Sequence, residues 1–313
     1  MDKFTIIEVS DDAPQADEQM GTKEKFWYDD KRLGQCLFKK SRENTGEGWA
    51  EKIAAELCEL LGLPHAHYEL ATWKNQNGII TPNFVPEKGW PIYGNEILHG
   101  IISDYPKSRR RKVSQHTLDV VLDTIRSKVI ELPIDWISPE GIKNAVDTFV
   151  GYILLDAWIG NTDRHHENWA IIMLESSSLP GGNPLHRHLA PTFDHASSLG
   201  REIRDDERNM RLETKDSGYS VQAYVNKSAS AFYNKEGDRK PMTTFDLFYN
   251  ATRREPEAAK IWLERLARLS REEIEKLFKR IPNNRISETA VRFALEILQL
   301  NQSRLIELQE NLS

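Results

Sequence analysis

The chain has 313 residues, enough to bury a sizeable core in one large domain or two lobes. Its net charge is −6, from 48 acids against 42 bases, which argues against broad nonspecific binding to nucleic acid because that needs a basic face. Cys36 and Cys58 are too few for a disulfide framework and read as buried thiols in a reducing cytoplasm. The first residues lack the apolar run of a signal peptide, and no stretch approaches ~20 apolar residues, so a cytoplasmic chain without a membrane span is expected.

In chain order, residues 4–9 alternate as a strand, and residues 10–19 form an acidic, proline-containing loop. Residues 25–28 and 35–39 read as short strands across a turn at 29–34. Residues 49–61 predict an amphipathic helix with Ile53, Leu57, Leu60 and Leu61 on one face, stopped by Gly62 and Pro64. Gly46 and Gly48 read as a flexible lead-in to it. Further strands are expected at 67–72 and 78–82, then a crossing segment at 85–105. The basic run from Lys107 to Lys112 reads as a solvated loop.

Helices dominate beyond residue 113, starting with one at 118–129. Ser138-Pro139-Glu140 offers an N-cap, a proline at the first helical position and a first-turn acid. The helix it opens runs through Phe149, Ile153, Leu154 and Trp158 to Gly160. Residues 169–174 and 189–193 read as two strands joined by a Ser/Pro/Gly loop at 176–184. Helices near 243–252, 256–268 and 288–311 follow, with Ser270 and Glu273 forming a capping box for another. The expected class is α+β with two lobes: a small sheet-plus-helix N-lobe over residues 1–105 and a larger, mostly helical C-lobe over 106–313.

The chemistry concentrates in residues 161–168, Asn-Thr-Asp-Arg-His-His-Glu-Asn, and in Phe193-Asp194-His195. Phosphoryl transfer from ATP asks for a carboxylate to orient and deprotonate the acceptor hydroxyl, and for an amide oxygen and a second carboxylate to hold Mg²⁺ on the phosphates. Asp163, five residues before Asn168, fits the first need with the D-x-x-x-x-N spacing of protein-kinase catalytic loops. Asn168 and Asp194 fit the second, if two short antiparallel strands bring them side by side. Arg164 is expected to pair with a carboxylate or contact phosphate, and His165 and His166 to hydrogen-bond the loop or Asp194.

Lys39 ends a strand and Glu51 starts the following helix, so the two are placed to form an ion pair that aims the lysine at ATP phosphates. Alternation leaves open whether Lys39 or Lys40 faces the cleft. Gly21 and Lys25 bound a turn whose backbone N–H groups could approach phosphate, although the chain has neither G-x-G-x-x-G nor a P-loop. Two other readings compete. His165, His166, His186, His188 and His195 crowd together in sequence, as in a His/Asp two-metal phosphohydrolase. A pseudokinase binding module is the other.

These residues together resemble the HipA-like serine/threonine kinases. Leu37-Phe38-Lys39, Gly46 to Leu57 and Leu61-Gly62-Leu63-Pro64 are similar to that family's N-lobe. Ile159 to Trp169 is similar to its catalytic loop, and Leu189 to Gly200 to its metal motif. The resemblance implies Asp163 as base, Asn168 and Asp194 as Mg²⁺ ligands, and Lys39, oriented by Glu51, as the ATP-phosphate ligand. It also implies a protein substrate such as an aminoacyl-tRNA synthetase, and a DNA-binding antitoxin partner of a toxin–antitoxin pair. The chain matches the family's kinase core alone. Glu18-Gln19-Met20 stand where the family carries autophosphorylated serines before the loop glycine, so that self-inactivation is missing or moved, as to Thr22.

Overall fold

A computed structural model describes residues 2–17, 24–128, 130–175 and 185–309. The N-terminal part is a six-stranded sheet with one helix packed on it. Its strands are β1 (Ile6–Val9), β2 (Ala16–Asp17), β3 (Lys25–Asp30), β4 (Gly34–Lys40), β5 (Glu69–Trp73) and β6 (Gln76–Pro82). They lie in the order β1-β5-β6-β4-β3-β2, antiparallel except for the β1–β5 pair.

Strand alternation sorts the two faces of this sheet. Phe26, Tyr28, Cys36, Phe38, Ala71, Trp73 and Ile80 bury one face, where the Phe26 and Phe38 rings stack with centroids 5.0 Å apart. The opposite face takes helix α1 (Glu47–Leu61), which packs on β5 and β6. Directly paired residues share a face. Lys25, Lys39, Ile79 and Leu70 are successive partners across β3, β4, β6 and β5, so both lysines lie on the α1 side with buried Leu70 and Ile79. Gly46 caps α1 and is no flexible lead-in. Its N–H donates to the Arg201 carbonyl at 2.8 Å, and a Cβ there would land in the Trp49 indole.

The stretch 85–105 contains β7 (Gly89–Tyr93) and α2 (Gly94–His99). β7 is the edge of a second sheet, ordered β7-β8-β9, with β8 at Ala170–Glu175 and β9 at Leu185–Leu189. Edge position explains how β7 accommodates Pro91, which has no N–H to donate. The second strand of the downstream pair is therefore residues 185–189 rather than 189–193. Residues 190–193 leave the sheet, and Thr192 bridges to His65.

Helices α3 (Leu118–Ser127), α4 (Ala145–Ile159), α5 (Asp205–Glu213), α6 (Val221–Val225), α7 (Thr244–Arg254), α8 (Pro256–Ala267), α9 (Arg271–Arg280) and α10 (Glu288–Glu307) build the rest. The caps Thr117, Asn144, Ser220, Thr243, Ser270 and Ser287 each accept a backbone N–H three residues on. Ser138-Pro139-Glu140 does not open α4. Pro139 instead accepts the Ile142 N–H in a turn, and Gly141 sits at φ +89°, which interrupts any helix between Ser138 and Ala145. α4 is buried along its whole length except at Asp147 and packs on α3, α7, α8 and α10. One apolar core runs from α1 through α4 to α10. Both thiols are buried within the fold, and burial pushes the Cys36 thiol up to about 11.

Ile153 is fully buried at the middle of α4. We expect Ile153→Ala to lower unfolding free energy by about 2–5 kcal/mol in chemical denaturation, through lost burial and the cavity left behind.

Candidate active site

Gly160, left-handed at φ +66°, ends α4 and turns the chain into the irregular stretch that carries Asp163. Asn161 organises this loop. Its Nδ2–H donates to Asp156 Oδ1 at 2.8 Å, and its Oδ1 accepts the Asp163 N–H at 3.1 Å. Asp163 is thus fixed through its backbone while its side chain remains 28 % exposed. Asn168 folds back on the same residue, its Nδ2–H donating to the Asp163 carbonyl at 2.7 Å, which leaves the amide oxygen as a donor atom for a cation.

Arg164 is buried beneath the loop. Its Nε and Nη2 grip the buried Asp156 carboxylate at 2.7 and 2.8 Å, while Nη1 donates to the carbonyls of Asn168 at 2.9 Å and Phe193 at 3.5 Å. Arg164 is therefore a fold-holding ion pair, and it draws Asn168 toward the residue preceding Asp194. His165 accepts the Glu167 N–H at Nδ1, 3.1 Å away, with its Nε2 4.0 Å from Asp163 Oδ1. His166 turns inward instead, its Nδ1 2.7 Å from the Tyr105 hydroxyl.

Asp194 lies past the second sheet, at φ +60°, a left-handed conformation that a non-glycine residue adopts only when its surroundings impose it. Its N–H donates to the buried Tyr68 hydroxyl at 3.2 Å, and its carboxylate lies 3.6 Å from Lys39 Nζ. Lys40 goes to Glu24 at 3.2 Å on the other face, so Lys39 is the lysine that reaches the site. Glu51 serves differently from the expectation of a direct pair with Lys39. It is fully buried, and its two oxygens accept the N–H groups of His195 at 2.6 Å and Ala196 at 2.9 Å. His195 sits between two elements, its Nδ1 3.4 Å from Glu51 and its Nε2 2.8 Å from the Thr192 hydroxyl.

Lys25 lies across from Lys39 on the same sheet face, and Gly21 and Thr22 fall outside the described residues. The five histidines do not converge. His186 and His188 lie on β9 beside Glu131, with His186 Nδ1 2.9 Å from Glu131 Oε1. Among the described residues, the side-chain groups close enough to share a metal through histidine are Glu59–His65–His67 and Glu131–His186–His188. Neither contains Asp163, Asn168 or Asp194.

The Helicobacter pylori proinflammatory kinase CtkA superimposes with a TM-score of 0.71 over 97 % of this chain and 99 % of its own, at 18 % identity. The chain has the fold of the HipA-like kinases. HipA of Shewanella oneidensis MR-1, solved with HipB and operator DNA, matches with a TM-score of 0.53 over 95 % of this chain and 68 % of its own, at 11 % identity. No family model and no curated protein sequence matches the chain.

In this HipA-like fold sequence reasoning missed Asp156 and Tyr68 and gave Asn161 no role of its own; the three hold Arg164, Asp194 and Asp163 in place. A histidine pair behind the loop was also missed. His116 Nε2 accepts the Trp169 indole N–H at 3.2 Å, and its ring lies 6.0 Å from that of His166. Burial pushes His116 down to about 3 and His166 down to about 4, because neither site solvates an imidazolium.

Two predictions follow from these contacts. Asp156→Ala leaves Arg164 charged, buried and unpaired, and should lower unfolding free energy by about 3–5 kcal/mol in urea. The histidine pair adds a pH dependence. Both rings titrate near ~6.5 in the unfolded chain, which therefore takes up protons that the folded chain refuses. Their stabilisation is full above about pH 6.5 and is lost as pH falls toward the folded values near 4 and 3. The urea midpoint should fall between about pH 7.5 and about pH 5, and fall less in His116→Gln.

Proposed function

We propose that the protein is an ATP- and Mg²⁺-dependent protein kinase that phosphorylates serine or threonine hydroxyls. The observation that carries this reading is the arrangement around Asp163. A partly exposed carboxylate is held at the tip of a buried helix by Asn161, with Asn168 tied to its carbonyl and Asp194 held against Lys39. Asp163 accepts the proton of the acceptor hydroxyl as that oxygen attacks the γ-phosphorus, and ADP leaves. Asn168 and Asp194 offer an amide oxygen and a carboxylate, the hard donor set that suits Mg²⁺, and they would hold it. Bound there, Mg²⁺ neutralises charge on the phosphates. Lys39 supplies a further positive charge on the same sheet face as Lys25, and Glu51 keeps the Asp194 turn in shape.

Two lines support kinase chemistry over the alternatives. The scattered histidines give a two-metal hydrolase no common centre, and a pseudokinase has no use for a fully furnished set of base, amide and carboxylate. The similarity to CtkA at near-complete coverage of both chains supports a kinase core. A DNA-binding antitoxin partner is the finer extension. It rests on the Shewanella HipA assembly with HipB and operator DNA, and co-purification of a neighbouring helix-turn-helix protein would test it. No helix among the described residues is long and apolar enough to cross a membrane.

Incubation with γ-labelled ATP, Mg²⁺ and a bacterial lysate tests the assignment. Asp163→Asn and Asp194→Asn should each lower label transfer by at least about 100-fold while leaving the circular dichroism spectrum and melting temperature near those of the parent. Retained transfer in folded Asp163→Asn would remove that residue as the base.

A further inference from the structure

The basic run Lys107 to Lys112 is not left in solvent on its own. Its turn is closed by the Arg109 N–H donating to the Pro106 carbonyl at 2.9 Å, and Asn95 Nδ2 holds the Lys107 carbonyl at 3.0 Å. Arg110 then fastens it to the catalytic loop, its Nε 2.5 Å from Glu167 Oε2. The next residue presents its guanidinium to the base itself. Arg111 Nη2 lies 3.7 Å from Asp163 Oδ1, on a side chain that is 83 % exposed. Lys107, Arg109 and Lys112 are exposed as well, and among the described residues no carboxylate pairs with them. A chain with net charge −6 thus concentrates bare positive charge at the rim of the one carboxylate that must meet the acceptor.

We infer that this run is the acceptor-recognition surface, and that it selects serine or threonine hydroxyls flanked by acidic side chains of a protein segment. The inference rests on the kinase reading and adds the substrate class. Arg111 stands beside the carboxylate to which the hydroxyl must come. The Arg111–Asp163 contact is long and solvent-exposed, so it is weak and salt-screened. A substrate carboxylate can therefore take over the guanidinium and leave Asp163 to the hydroxyl. Arg109, Lys107 and Lys112 extend the positive field along the segment on either side, which raises encounter rates and fixes register. Arg110 is the fastener and stays with Glu167. Nucleic acid is also an anion, but the patch is short, the chain as a whole carries net negative charge, and the occupant has to bring a hydroxyl to the base.

The test uses the full chain and three fluorescent probes of equal length. They are a serine peptide flanked by Glu and Asp, the same peptide with Gln and Asn at those positions, and a single-stranded oligonucleotide. Binding is read by anisotropy at low and moderate salt with a non-hydrolysable ATP analogue and Mg²⁺, and transfer is read with γ-labelled ATP on both peptides. The variant is Arg109→Ser/Arg111→Ser, which alters two exposed side chains and keeps Arg110.

The acidic peptide should bind at least about 10-fold more tightly than its amide twin at low salt, and that preference should shrink with salt and with the double substitution. The change should appear mainly in KM. Equal binding of the two peptides, an unchanged preference in the variant, or tighter arginine-dependent binding of the oligonucleotide would each overturn the inference. The two readings fail separately. Transfer to both peptides without preference keeps the kinase and removes acidic selection, whereas selective binding of the acidic peptide without transfer supports the surface and counts against the kinase.

Discussion

The buried ion pair between Asp156 and Arg164 is the constraint on which the site depends. Both side chains are 1 % exposed, so each charge has lost its water and must be repaid by geometry. The bidentate grip does that, and the remaining capacity on each side is used to build the site. Asp156 Oδ1 also accepts from Asn161, which orients the Asp163 backbone. Arg164 Nη1 also reaches the carbonyls of Asn168 and Phe193. One ion pair at the end of a buried helix therefore sets the position of Asp163, the proposed base, of the Asn168 amide, and of the residue before Asp194. A hydrophobic pair of equal volume could match its stability, but could not make those three directional contacts.

A second buried carboxylate does the same from the other side of the cleft. Glu51 stands on α1, which the sheet holds through Leu70 and Ile79, and it accepts from two consecutive amides just after Asp194. Its charge is met by backbone dipoles rather than by a direct pairing with lysine, with the His195 ring 3.4 Å away. The consequence is a division of labour on one sheet face. Lys39 is left to meet Asp194 from β4, and the helix fixes the turn that aims Asp194 back at it.

The sequence carried the polar loop, the stretch around Asp194, α1 and the capped C-terminal helices because each is specified locally, by spacing or by cap residues within a few positions. Asp156 was harder to see, yet it had a signal. An aspartate inside the apolar run from Phe149 to Ile159 has no solvent-facing side on a helix buried all round, so it requires a partner. What the run could not say is which arginine supplies it. The false helix start at Ser138 shows the opposite failure: three residues met the capping rule, and one left-handed glycine, Gly141, overruled them. β9 was misplaced because its His-Arg-His alternation is that of an edge strand with a polar outer face, while Ala190 to Phe193, more apolar, belongs to the turn that leaves the sheet. Whether Lys39 or Lys40 enters the cleft depended on which face of β4 meets α1, a tertiary fact that period-two alternation cannot supply.

The left-handed backbone of Asp194 gives these constraints a common purpose. A conformation of this kind is unfavourable by about 1–3 kcal/mol for a residue with a Cβ, and it survives only where neighbours over-determine it. Here they do so from four directions. Tyr68 of the linker before β5 accepts the Asp194 N–H, Glu51 accepts the next two, Arg164 holds the carbonyl of Phe193, and Thr192 bridges to His65. None of these contacts uses the Asp194 carboxylate. The fold fixes the backbone and brings the side chain to Lys39, which is what the proposed ligand-holding role of Asp194 asks for: a carboxylate rigid in position.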